Sequence, residues 1–199
     1  MSQTIQNGGT HATHTTNGHG ARQAGASTRS GRALTLDALG AMKGEELDAL
    51  YRRGTVPEHL SDVSGTPVGR MLAVRGVEKV GPAFALIRRF AALRSVFPWE
   101  GKTFGADTAR EGTGINRVHL GALRMNWFPF TTRVEPSVVD GAPCIYLDYA
   151  QPGNPWFIAK IRDEIREVAP GLFLGPAMWK DGRGGATHVL WFAVDFRAA

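Results

Sequence analysis

The segment THVLWFAVDF, close to the carboxyl-terminal end of the chain, is apolar at both of its alternating sets of positions. These sets are Val189, Trp191 and Ala193 on one side, and Leu190, Phe192 and Val194 on the other. A strand that is apolar on both faces has to be covered on both, for example by a barrel interior on one side and a helix on the other. The segment therefore predicts a covered sheet, and the glycine-rich stretch 181–185 before it predicts the turn of a closing hairpin.

The second half of the chain consists of short β-rich runs that are separated by Gly, Pro and Asp. The predicted strands cover about residues 113–121, 123–135, 142–149, 171–180 and 187–196. Several antiparallel runs with few helices between them are typical of a closed or curved sheet. We therefore predict a mostly β fold with N-terminal helices (α+β), which is a lipocalin-like antiparallel β-barrel or a strongly curved sheet.

The first half of the chain contains two segments of different composition. Residues 1–32 are rich in Gly, Thr, Ser, Asn and His with very few apolar side chains, and such a segment is predicted to be a disordered, low-complexity tail. Residues 33–199 are predicted to form a single β-barrel domain. Apolar residues at helical spacing predict helices at about 35–53 and 82–97 within it.

The stretch 154–168 also has a helical pattern. Asn154 and Pro155 suit the N-cap and the first turn of a helix. An apolar stripe follows at Ile158, Ile161, Ile165 and Val168. We expect the charged run RDEIRE to be the solvated face of this helix, held by surface ion pairs. Because Arg162 and Arg166 are four residues apart, an anion-binding role for this face stays open.

Composition excludes several classes of function. The net charge of +5 includes three arginines in the tail that no acidic residue offsets, yet no basic motif with interleaved aromatic residues follows, so nucleic-acid binding is not expected. A single cysteine, Cys144, permits neither an internal disulfide nor a cysteine-based zinc site, and it is predicted to be a small buried side chain. No metal site and no cofactor are expected. The lack of a signal-like or membrane-length apolar run predicts a cytoplasmic protein without a membrane span.

Aromatic and polar residues within the β-rich half are the candidates for a binding site. Many tryptophans in a small barrel are typical of a semi-polar interior, because a buried indole N–H needs a partner, although a filled core with amphipathic rims stays open. The predicted ligand-binding residues are Trp127, Arg133, Tyr146, Trp179 and Trp191.

The orientation of the strand at 142–149 separates two functions. If Ile145 and Leu147 face inward, the cavity is apolar and the protein is a carrier. If Tyr146 and Asp148 face inward, a carboxylate beside a phenol is suited to proton transfer. The predicted catalytic residues of this second case are Asp148, Tyr146 and His119.

Two segments of the chain resemble a known family. The sequence WEGKTF at 99–104 is similar to the W-x-G-K-x-F segment of the GXWXG lipocalin-like family, and LDYAQPGNPW with the residues that follow resembles the small domain that comes after it. GTPVG at 65–69 stands where that family has G-x-W-x-G, and Asp148 and Tyr149 are in the reverse of its order. The resemblance covers about residues 45–195 and implies a barrel that holds an apolar ligand.

The sequence therefore favours binding of a hydrophobic small molecule or lipid inside a β-barrel. The alternative is a cofactor-independent enzyme, an isomerase, cyclase or hydrolase, that acts on an apolar substrate in the same cavity. A third hypothesis is an interaction protein whose tail recruits a partner. The sequence does not determine the oligomeric state.

Overall fold

A computed structural model describes residues 33–74, 99–120 and 122–198 of the chain. The predicted tail at 1–32 and the predicted helix at 82–97 lie outside these residues. Among the described residues, no helix has the length and apolar character that a membrane span requires.

Two helices precede the sheet. α1 covers Leu36–Gly40, and the Thr35 hydroxyl caps it by accepting a hydrogen bond from the Ala38 backbone N–H. α2 covers Gly44–Arg53, with acidic residues in its first turn and Arg52 and Arg53 in its last, as the helix dipole favours. Both helices lie within the stretch of about 35–53 for which the sequence predicts helix. A 3₁₀ helix, Leu60–Val63, follows α2, and another, Phe196–Ala198, ends the described chain.

The described residues form eight strands, which close into an antiparallel barrel. In chain order they are β1 (Val68–Val74), β2 (Trp99–Ala106), β3 (Glu111–Leu120), β4 (Leu123–Pro136), β5 (Pro143–Asp148), β6 (Ile161–Ala169), β7 (Leu172–Lys180) and β8 (Ala186–Asp195). Each strand pairs with the next one along the chain, and β8 pairs with β1 to close the cylinder. The predicted antiparallel β-barrel is therefore confirmed.

Part of the barrel interior is filled by aromatic rings. Phe173, Phe196, Phe104, Phe130 and Tyr149 form a continuous series in which successive ring centroids are 5.5, 5.7, 5.5 and 5.3 Å apart. Leu60 and Val63 of the first 3₁₀ helix are buried in the same cluster. These side chains therefore form a packed part of the core.

The outside of the barrel is covered by α1 and α2. Leu39, Leu47 and Tyr51 of the helices are fully buried against Trp191 and Ala193 of β8. The opposite face of β8, which carries Leu190, Phe192 and Val194, belongs to the interior cluster. The inference that both faces of this strand are covered, one by the barrel interior and one by a helix, is confirmed.

The prediction of a helix at 154–168 is wrong. The backbone makes one turn, in which the Ile158 and Ala159 N–H groups donate to the Pro155 carbonyl, and then enters strand β6. Ile161 and Ile165 are four residues apart, and this spacing places two residues on one face in a helix and in a strand alike. The strand has Ile161, Asp163 and Ile165 inside, so RDEIRE is not a solvated face.

Candidate functional site

The barrel interior contains a cavity of about 180 Å³. Its walls are almost entirely apolar, and its lining comes from every strand except β5, with Tyr149 just beyond that strand. The lining residues are Met71, Trp99, Lys102, Asn116, Val118, Phe128, Tyr149, Phe157, Ile158, Ile161, Asp163, Ala177, Met178, Trp179, Val189, Leu190 and Phe192. The cavity has the composition of a small-molecule site, namely an apolar surface with a few convergent polar groups.

A β-bulge in β2 places two cavity-lining side chains on the same face. Trp99 pairs with Val118 while Gly101 pairs with Arg117, so the register shifts between them. Gly101 adopts a φ of 143°, and a Cβ atom there would lie 2.4 Å from the Pro67 carbonyl oxygen of the chain beside it. Only glycine fits this conformation and this close approach. As a result Trp99 and Lys102, which are three residues apart, both line the cavity.

A second irregularity lies in β4, opposite the same part of β3. Asn116 pairs with Trp127 and Ile115 with Pro129, so Phe128 is the extra residue, and its φ is 58°. A positive φ is rare for a bulky side chain and is held in place by the surrounding structure. The Phe128 carbonyl accepts a hydrogen bond of 3.2 Å from the Asn116 amide, and the Phe128 ring lines the cavity.

The floor of the cavity is a buried cluster of four polar side chains, Lys102, Asn116, Tyr149 and Asp163, which we call the polar floor. Lys102 Nζ donates to Asn116 Oδ1 at 2.9 Å, to Asp163 Oδ2 at 3.0 Å and to the Tyr149 hydroxyl. The Tyr149 hydroxyl in turn donates to Asp163 Oδ2 at 2.9 Å. Asn116 Oδ1 also accepts from the Trp99 indole N–H at 3.1 Å.

Lys102 has the contacts of an ammonium ion. It donates to three acceptors, which uses all three N–H bonds of the charged form, whereas a neutral amine has only two. Its Nζ lies 5.1–5.4 Å from the ring centroids of Trp99, Phe130, Tyr149 and Phe192, whose faces favour a cation. Burial lowers the pKa of Lys102, and the Asp163 carboxylate acts in the opposite direction.

Two further features describe the electrostatics of the polar floor. Burial, and then the negative charge of Asp163, raise the pKa of Tyr149 well above its ordinary value, so this phenol stays protonated. Asp163 is only 4% exposed, and its Oδ1 atom has no hydrogen-bond partner among the residues that the structure describes. A buried carboxylate oxygen without a hydrogen-bond partner costs free energy, so a hydrogen-bond donor placed beside this atom would be stabilising.

The structure places three of the predicted site residues together on the outside of the barrel. Ile145, Leu147 and Tyr149 belong to the interior cluster, so Tyr146 and Asp148 face outward. Arg133 Nη1 lies 3.5 Å from Asp148 Oδ2, and its guanidinium stacks 4.5 Å from the Tyr146 ring centroid. Burial raises the pKa of Asp148, but hydrogen bonds from the Ala150 N–H and Tyr146 and the nearby cations outweigh it, so the pKa is lowered overall.

The other four predicted residues are dispersed. Trp179 lines the cavity. Trp127 is 39% exposed, beside Phe128. Trp191 lies under α2, with its ring 5.6 Å from that of Tyr51, and not in the cavity. His119 is partly exposed near Glu100, with 3.9 Å between Nε2 and Oε1. Of the predicted site residues, Trp179 is therefore the one that contributes to the cavity.

Arg162 and Arg166 belong to the outward face of β6. Arg166 is fully buried, forms two hydrogen bonds to the Asp140 carboxylate at 2.6 and 2.8 Å, and donates to the carbonyls of Pro143 and Ala142. Arg162 pairs with Glu135 and Glu164. Since acidic side chains and carbonyls already occupy both guanidinium groups, the structure gives the anion-binding alternative no support.

Sequence reasoning did not identify the polar floor. Lys102 lies in the WEGKTF segment, Asn116 is not among the predicted site residues, and Tyr149 shares a face with Ile145 and Leu147. Asp163 was hidden by the helical interpretation of 154–168. The signal in the sequence was the two-residue period of Ile161, Asp163 and Ile165, which places all three on one face of a strand. Within the part of the chain that the structure describes, no three His, Cys, Asp or Glu side chains are grouped as metal ligands.

Comparison with known proteins adds no functional assignment. No protein-family model matches the chain, and neither does any curated protein. Among solved structures, the crystal structure of a protein from Thermomonospora curvata is similar to this chain, with 16% sequence identity and a TM-score of 0.43 over 77% of this chain and 87% of that one. A similarity of this size assigns neither a ligand nor a reaction.

Proposed function

We propose that the protein binds a small, largely apolar molecule inside the barrel, between the apolar walls and the polar floor. The observation that carries this proposal is a contrast within the barrel interior. Phe173, Phe196, Phe104 and Phe130 pack ring against ring and do not line the cavity, while the side chains beyond them leave about 180 Å³ unfilled. Protein interiors are normally packed to crystal density with few voids larger than a water molecule, so an apolar cavity of this size supports a binding function.

The polar floor also supports a binding role. A buried ion pair gives little net stability, because the cost of removing two charges from water can exceed their attraction. Lys102 and Asp163 are 3% and 4% exposed, yet they lie where apolar side chains would complete the core. The arrangement is consistent with a site that orients one end of a ligand while the walls hold the rest.

Binding is favoured over the enzyme alternative by the position of the predicted catalytic residues. Asp148 and Tyr146 are on the outside of the barrel, and His119 is beside Glu100. None of the three lines the cavity. The resemblance of WEGKTF to the GXWXG lipocalin-like family agrees with the binding proposal, and membership in that family is proposed on these residues alone.

Isothermal titration calorimetry with ethylbenzene tests the proposal. Wild-type protein should bind this apolar probe, and Val118→Phe should abolish binding because Val118 is 1% exposed and lines the cavity. The matched control is Val138→Phe, since Val138 is 42% exposed and does not line the cavity. Thermal melts show whether each variant is folded. Absence of binding by wild-type protein, or equal binding by the two variants, would overturn the proposal.

A further inference from the structure

We infer that the ligand is a neutral molecule with an apolar body and one hydroxyl group, and that this hydroxyl donates to Asp163 Oδ1. The inference rests on the proposed function and names the chemical class that the site takes. Asp163 lines the cavity, and its Oδ1 is the one buried atom of the polar floor that has no hydrogen-bond partner among the described residues. That atom is an acceptor, so the group that satisfies it has to be a donor.

Lys102 does not provide a site for an anion. Its three N–H bonds are directed to Asn116, Tyr149 and Asp163, so a carboxylate would have to displace one of these partners. The carboxylate would also lie next to the charge of Asp163, which repels it strongly in a water-poor interior. A carboxylic acid in its ionised form is therefore disfavoured, although a lysine lies on the floor of the cavity.

A cationic ligand is disfavoured for the complementary reason. The Asp163 charge is already balanced by Lys102, with 3.0 Å between Nζ and Oδ2. The four aromatic rings that favour a cation already surround the Lys102 ammonium. A cationic ligand would lose its hydration in the cavity and would find no unpaired negative charge there, and this transfer costs free energy. A neutral hydroxyl can satisfy Oδ1 without adding charge.

The size of the cavity limits the apolar body. An apolar cavity of about 150 Å³ holds a molecule the size of benzene. A cavity of about 180 Å³ that is lined by Trp99, Phe128, Trp179 and Phe192 therefore suits a single ring with a short substituent. A phenol or a monocyclic alcohol has this size and this donor.

Calorimetric titration of three probes with nearly the same skeleton tests the inference. The probes are 4-ethylphenol, which can donate, 4-methylanisole, which cannot donate, and 4-methylbenzoate, which is an anion. Wild-type protein should bind 4-ethylphenol at least about 10-fold more tightly than 4-methylanisole, as the loss of a hydrogen bond to a charged group implies. It should bind 4-methylbenzoate most weakly. Asp148→Asn, on the outside of the barrel, should leave this order and the 10-fold ratio unchanged.

The variant that removes the acceptor is Lys102→Met combined with Asp163→Leu. Replacing both charges together avoids leaving either one buried without its partner, so this variant should fold where Asp163→Leu alone could fail. It should still bind 4-methylanisole, and its preference for 4-ethylphenol should fall to within about 2-fold of unity. Equal binding of 4-ethylphenol and 4-methylanisole by wild-type protein, tightest binding of 4-methylbenzoate, or an unchanged preference in the double variant would overturn the inference while the binding function stands. If wild-type protein did not bind ethylbenzene, the proposed function would fail, and the inference would fail with it.

Discussion

Lys102 of β2 and Asp163 of β6 form an ion pair inside the barrel, with 3.0 Å between Nζ and Oδ2 and with almost no exposure of either side chain. Glu164, the next residue of β6, points the opposite way and accepts a hydrogen bond of 2.9 Å from the Tyr51 hydroxyl of α2. Two neighbouring acidic residues therefore serve the two sides of the barrel wall, one at the cavity and one beneath the covering helix.

Removing one member of the interior pair should cost more than removing both. Lys102→Met leaves Asp163 buried without its cation and should lower the free energy of unfolding by about 3–5 kcal/mol. The double variant Lys102→Met with Asp163→Leu should lower it by less, because no buried charge is left over. Urea denaturation of the two variants measures the difference. A double variant that is less stable than the single one would show that the pair itself contributes the stability.

Arg166 should be a structural residue of the outer wall. Its side chain is fully buried and is held by Asp140 and by the Pro143 and Ala142 carbonyls, so Arg166→Ala should lower the free energy of unfolding by about 3–5 kcal/mol. Arg53→Ala, an exposed arginine in the last turn of α2, should change it by less than about 0.5 kcal/mol. Chemical denaturation measures both values. Similar losses in the two variants would contradict this assignment.

The barrel could be predicted from the sequence because both faces of β8 are apolar and both have to be covered. Few arrangements cover both faces of a strand, and a barrel interior on one side with a helix on the other is one of them. The sequence did not predict the site for three physical reasons. Alternation along β5 cannot show by itself which face is inside, so an inward face with Tyr146 and Asp148 and an inward face with Ile145 and Leu147 were both open. The bulge at Gly101, which brings Lys102 into the cavity, depends on the close approach of the Pro67 carbonyl from the chain beside it. In 154–168 the good helix propensities of Arg and Glu agreed with the isoleucine spacing, and tertiary pairing with β5 and β7 overrode both.

Trp191 should contribute to stability and not to binding. It is 3% exposed and lies beneath α2 against Tyr51, so Trp191→Ala should lower the free energy of unfolding by about 3–5 kcal/mol through the cavity that it leaves. Trp156→Ala should change it by less than about 1 kcal/mol, because Trp156 is 67% exposed. Thermal melts of the two variants provide the comparison. A loss below about 1 kcal/mol in Trp191→Ala would place that ring at the surface.

Acid should destabilise the protein through Asp140. The hydrogen bonds and charge of Arg166 hold the pKa of Asp140 below its ordinary value of 3.8. A carboxyl group whose pKa is lower in the folded state stabilises the fold above its unfolded pKa, and this contribution is lost as the pH falls through the folded value. The free energy of unfolding should therefore decrease below about pH 4, with a smaller decrease in Asp140→Asn. Urea titrations from pH 7 to pH 2 measure both slopes, and identical slopes would contradict the role of Asp140.

The indole N–H resonances of the five tryptophans test most directly whether the cavity is the binding site, because each ring has a known position. Trp99 and Trp179 line the cavity, Trp191 lies under α2, and Trp127 and Trp156 are exposed. In ¹H–¹⁵N spectra that are assigned with single Trp→Phe variants, titration with ethylbenzene should shift the signals of Trp99 and Trp179 in a saturable way and leave those of Trp156 and Trp191 in place. Shifts confined to Trp127 or Trp156, or no saturable shift at all, would contradict a ligand site inside the barrel.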